Sequence, residues 1–78
     1  MDIENLIRMA NRIGDFFGAM PDADEALAGI ATHIRRFWEP RMRRELLAHL
    51  EQHPDDPRLK PAVREALRSR SVELAGPM

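Results

Sequence analysis

Apolar residues recur at helical spacing from the start of the chain. Ile3, Leu6, Ile7, Ala10, Ile13 and Phe17 follow the i, i+3, i+4, i+7 rule that lines one face of an α-helix. Asp2 stands where its carboxylate can accept from the orphan amides of the first turn. Gly18 predicts the stop, in the left-handed conformation that glycine adopts readily. Met9 and Phe16 fall off the stripe and widen the apolar surface beyond what one core needs. A second stripe, Leu27, Ile30, Ala31 and Ile34, runs on to either Phe37 or Trp38. Asp22 and Glu25 have the spacing of a capping box at its start. Gly29 inside this helix costs about 1 kcal/mol against alanine, and close contact with a neighbouring helix would compensate.

Pro40 ends the second helix, because its ring disfavours helical geometry in the residue before it, and it suits the first position of a third. That helix is predicted to reach about Gln52, with Met42, Leu46, Leu47 and Leu50 on its apolar face. His53-Pro54-Asp55-Asp56-Pro57 reads as a loop. A short fourth helix starts at Pro61 and turns Val63, Ala66 and Leu67 inward; from Ser69 the pattern fails and a frayed tail is expected. Nothing signals a strand or an internal repeat. The expected fold is all-α: a small bundle of three amphipathic helices plus a short fourth. One helical domain would cover residues 1–68, with a flexible tail at 69–78.

Composition narrows the function classes. A chain of 78 residues buries only about 60% of its unfolded surface and is marginal alone, so docking onto a partner would help it. The absence of cysteine removes disulfides, thiolate metal sites, iron–sulfur ligation and a cysteine nucleophile. No apolar run approaches the roughly 20 residues of a membrane span. The opening Met-Asp-Ile-Glu-Asn is acidic and does not read as a signal peptide. A cytoplasmic setting is the expectation, with no membrane partner.

Net charge is −1, which argues against a general attraction to nucleic acid. The charge is uneven, however: residues 1–34 sum to −4 and residues 35–47 to +3. Arg35, Arg36, Arg41, Arg43 and Arg44 flank Phe37, Trp38 and Pro40. Guanidinium groups pair bidentately with carboxylate or phosphate and stack on aromatics, and arginine with tryptophan is the composition of an interface hot spot. A helical DNA-binding or regulatory protein using these arginines is the alternative reading, against which stand the acidic first half and the proline-bounded corner. His49 and His53 have i, i+4 metal-ligand spacing, yet only Glu45 stands nearby, and a zinc site wants three or four ligands. No nucleophile stands beside a base, and short helices offer little cleft. Neither a metal, a cofactor nor a catalytic residue is expected.

Two blocks carry a family resemblance. Leu6-Ile7-Arg8-Met9-Ala10-Asn11-Arg12-Ile13-Gly14-Asp15-Phe16-Phe17 is one; Ile30-Ala31-Thr32-His33-Ile34-Arg35-Arg36-Phe37-Trp38-Glu39-Pro40-Arg41-Met42-Arg43 is the other. In this order they resemble the delta subunit of cytoplasmic, NAD-dependent, molybdenum-containing formate dehydrogenases, over roughly residues 2–52. The resemblance implies a non-catalytic accessory subunit, whose partners are the catalytic and electron-transfer subunits that hold the molybdenum cofactor, iron–sulfur clusters, flavin and NAD. It would assist assembly, stability or molybdenum-cofactor loading. Met9, Asn11, Phe16, Arg35, Arg36, Trp38, Pro40, Arg41 and Arg43 would face the partner, the arginines meeting carboxylates or cofactor phosphates. Expressed alone, the exposed docking face could pair two copies as a homodimer.

Overall fold

The computed structural model describes residues 2–76. Among them are five helices: α1 (Ile3–Phe17), α2 (Ala23–Phe37), α3 (Pro40–Gln52), α4 (Pro61–Ser69) and α5 (Ser71–Ala75). The fold is all-α. Local chemistry sets most of the boundaries. The Asp2 carboxylate accepts from the Glu4 N–H at 3.2 Å, and Asp22 accepts from Asp24 and Glu25 at 2.9 and 3.3 Å. Each satisfies amides that have no partner within the first turn. Pro40 and Pro61 each occupy the first turn of their helix, where a missing N–H is no loss.

α2 packs against α1 and α4, and α3 packs against α1 and α5. The Cα envelope measures 32 × 28 × 18 Å, so its short dimension holds two layers of helices about 10 Å in diameter. The core gathers Leu6, Ile7 and Ala10 from α1, Ile30 and Ile34 from α2, and Leu46 and Leu50 from α3. Leu59, Val63, Ala66, Leu67 and Leu74 close it from the second half of the chain. Two glycines mark the closest approaches. A Cβ on Gly14 would stand 2.5 Å from a methyl of Val63, and one on Gly29 would stand 2.4 Å from the Phe17 ring. The contact expected at Gly29 is therefore present, and Phe17 makes it.

Two expectations are corrected and one alternative is resolved. Gly18 ends α1 in right-handed geometry, at φ −63° and ψ −16°, its N–H still bonded to the Gly14 carbonyl at 2.7 Å. The frayed tail is not what residues 71–75 form: they make α5, anchored by Leu74, which is buried in the core. Its five residues are too short for a periodicity to show, and one inward leucine fixes it. The part of that expectation falling on residues 77 and 78 lies outside the described residues. Of the pair Phe37 and Trp38, the tryptophan turns inward, at 5% exposure against 69% for the phenylalanine. Trp38 continues the i, i+4 series of Ile30 and Ile34.

Candidate partner-binding surface

Away from the core, α1 and α2 share an exposed aromatic ridge. Phe16 and Phe17 adjoin at the end of α1 because a helix there offers both an inward and an outward position. Their rings meet edge-on at 5.0 Å between centroids, with Phe16 75% exposed. Phe17 lies over Gly29 of α2, and the His33 ring stands between Phe17 at 6.1 Å and Phe37 at 4.7 Å. The Arg36 guanidinium lies 5.9 Å from the Phe37 centroid, within reach of a cation–π contact. Gly29 and Thr32 form the floor of a shallow groove of about 350 Å³ beside these rings. Among the described residues, the exposed Arg35, Arg36, Arg41 and Arg44 make no ion pair. The ridge thus combines large apolar rings with a cation, Arg36, that has no carboxylate of its own.

The basic stretch itself is divided. Arg43 is 1% exposed and donates to the Arg35 carbonyl and to the Gly76 carbonyl, each at 3.2 Å. Those oxygens end α2 and follow α5, where carbonyls lack intrahelical donors and the helix dipole favours a cation. Trp38 is likewise buried in the core. Both residues, expected at a partner surface, are interior in this structure, and the reason is helical phase. Arg43 precedes Leu46 by three positions and Leu50 by seven, which places it on the buried stripe of α3.

The other expected contacts scatter. Met9 is half-buried against the core. The Asn11 amide donates to the Arg58 carbonyl at 2.7 Å and accepts from the Lys60 N–H at 3.1 Å, bracing the approach to α4. Pro40 is half-buried at the α3 start, and Arg41 is exposed beside it. Only Phe16 and Arg36 remain on or next to the ridge; Arg35 is exposed two positions from His33, on the other side of α2. Sequence reasoning left Phe37 and His33 out of the site. The i, i+4, i+8 series Gly29, His33, Phe37, about 100° around the helix from Ile30, Ile34, Trp38, is the signal that finds them.

A polar cluster also went unread. Asp56 is buried and accepts from the Arg58 backbone N–H at 2.9 Å and from the Arg58 guanidinium at 2.9 and 3.1 Å. His49 Nε2 lies 2.7 Å from the same carboxylate. The Arg58 side chain first, then His49, hold the Asp56 carboxyl well below the usual carboxylate range. The His49 and His53 rings sit 4.9 Å apart. Among the described residues, no three His, Cys, Asp or Glu side chains are gathered as a metal site. No helix among them is long and apolar enough to cross a membrane.

The model of one protein family, described as the NADH-dependent formate dehydrogenase delta subunit FdsD, matches residues 5–67. The match takes in the whole ridge and Asp56, and ends before α5. No curated protein and no solved structure matches the chain.

Proposed function

The chain belongs to the family of NADH-dependent formate dehydrogenase delta subunits, and we propose on that premise that it is a non-catalytic accessory subunit acting in the cytoplasm. It docks through the ridge of Phe16, Phe37 and Arg36 onto another subunit of the enzyme and stabilises the assembly. The observation that carries this reading is the exposure of two phenylalanines on one face, 75% and 69%. A small chain has no folding reason to leave two large rings in water, whereas aromatic anchors with arginine are the side chains that dominate interface energies. Arg36 supplies the charged rim, directed at a carboxylate of the partner. The catalytic subunit is the partner we favour, since formate oxidation and its cofactors reside outside this chain.

Co-expression of the tagged chain with the other subunits tests this. Phe16→Ser with Phe37→Ser should weaken co-purification on the order of tenfold or more, as loss of two hot-spot rings does. Both positions are exposed, so the melting temperature of the isolated chain should hold. Undiminished recovery of the complex with the doubly substituted chain overturns the docking surface. Formate-dependent NAD reduction that is equally stable with and without the chain overturns the accessory role.

A further inference from the structure

The end of α3 gathers two imidazoles away from the ridge. His49 and His53 lie one helical turn apart, with ring centroids 4.9 Å from each other. With Asp55, Asp56 and Arg58 they line a cleft of about 450 Å³ that shares no residue with the groove beside the ridge. Coordination geometry gives that separation a meaning. A metal ion about 2.0–2.1 Å from an imidazole nitrogen stands roughly 3.2 Å from the ring centroid. Two such rings, at square-planar or tetrahedral angles, have centroids about 4.5–5.2 Å apart, and the pair falls within that range. Asp56 decides which nitrogen of His49 is available. Its carboxylate accepts from the Arg58 backbone N–H and guanidinium, so it is also the acceptor for His49 Nε2 at 2.7 Å. Nε2 then carries the proton, and Nδ1 keeps the lone pair that a metal takes. A carboxylate behind a ligating imidazole fixes the ring and raises its basicity. The Arg58 charge is taken up by Asp56 and Glu4, and His53 is the exposed C-cap of α3, where the helix dipole favours a cation.

We propose that His49 and His53 bind a divalent transition-metal ion of the imidazole-preferring class, with Asp56 positioning His49. Nδ1 of His49 and one nitrogen of His53 supply two ligands, and water supplies the rest. No third His, Cys, Asp or Glu side chain is gathered with them among the described residues, so the site is open and exchangeable. Imidazole suits copper, nickel and zinc, and among divalent first-row ions affinity is greatest for Cu²⁺. The inference goes beyond the docking role and stands without it.

Titration of the full chain with Cu²⁺ tests the site, by calorimetry for affinity and by electron paramagnetic resonance for the ligands. One ion should bind with a Kd on the order of 10 µM, since two of the four ligands of a closed site hold roughly half its free energy. The spectrum should show two nitrogen ligands. His53→Ala, at an exposed position, should weaken binding about tenfold or more and leave the melting temperature of the metal-free chain nearly unchanged. Asp56→Asn should weaken binding about tenfold while the two-nitrogen spectrum persists, as expected when a carboxylate behind a ligand is lost. His33→Ala, on the ridge, should bind as the parent does. Parent-like affinity in His53→Ala, a spectrum with a single nitrogen, or binding lost with His33→Ala each overturns the site. Parent-like affinity in Asp56→Asn, or loss of the second nitrogen there, overturns the positioning role of Asp56.

Discussion

Arg36 and Arg43 stand seven residues apart on either side of Pro40, in one basic stretch, and the fold sends them in opposite directions. Arg36 is exposed, its guanidinium over Phe37. Arg43 is enclosed and holds the carbonyls of Arg35 and Gly76. The two adjacent aromatics divide in the same way, Phe37 outside and Trp38 inside. An arginine-and-aromatic composition is therefore two structures here, a surface that faces outward and a bolt that ties α2 to α3 and α5. Helical phase decides between them. Trp38 follows Ile34 by four positions and Phe37 follows His33 by four, so the adjacent rings diverge by about 100°, one inward and one outward. Pro40 then restarts the phase and brings Arg43 onto the stripe of Leu46 and Leu50.

Truncating the interior members gives the largest effects. Trp38→Ala should cost about 3–5 kcal/mol, the range for deleting a buried large aromatic. A chain of this size has only about 4–12 kcal/mol of stability in total, so the variant should be close to unfolded at 37 °C. Arg43→Met should cost about 2–4 kcal/mol, because the carbonyls it serves lose a charged donor inside the protein. Phe37→Ala should stay within about 0.5 kcal/mol of the parent. Urea titration of the three variants reads the contrast directly. If Phe37→Ala destabilises as much as Trp38→Ala, the division into outside and inside is void.

The sequence is most legible where the determining chemistry is local. Asp2, Asp22, Pro40 and Pro61 mark helix starts through hydrogen bonds or ring constraints that act within a few residues, and those starts are where they were expected. Gly29 also announced itself, because glycine in a helix interior needs a compensating contact. Much of the expected partner surface was illegible for the opposite reason. Asn11 is taken up by backbone groups 47 and 49 residues away, a distance over which no spacing rule operates. Arg43 reads as a solvent cation on charge alone; its burial depends on α5 supplying the Gly76 carbonyl, and α5 has no periodic signal of its own. Asp56 looks like one more turn residue until His49 and Arg58 converge on it.

The two close-contact glycines sharpen the same comparison with smaller effects. Gly14→Ala would press against Val63, which is fully buried and has nowhere to move. Overpacking of about 1–3 kcal/mol should outweigh the gain of about 1 kcal/mol in helix propensity, leaving a less stable protein. Gly29→Ala meets the Phe17 ring, which is half-buried at the surface and can swing outward. There the propensity gain should nearly offset the displacement, for a net change within about 0.5 kcal/mol. Thermal melts distinguish the two. Equal losses at both positions would mean that the ridge is packed as firmly as the core.

The effect that depends on pH belongs to the polar clamp on the loop before α4, whose Arg58 is half in water. The Arg58 side chain is 48% exposed although Asp56 beneath it is nearly covered, so this cluster lies between the two extremes of Arg36 and Arg43. Its pH dependence follows from the direction of the Asp56 shift. The carboxyl is held below its ordinary range in the folded chain, so the unfolded chain binds the proton more readily. The stabilisation is then complete above the unfolded value near about 3.9 and is lost as pH falls further, through the folded value. Asp56→Asn removes the charge at every pH. Near neutrality it should lower the melting temperature, and the gap should begin to close only below about pH 4, narrowing steadily as the carboxyl of the parent takes up its proton. A gap that stays constant into acid would mean that Asp56 holds the loop by shape and neutral hydrogen bonds, and that Arg43 is the only charge whose burial the fold depends on among those compared.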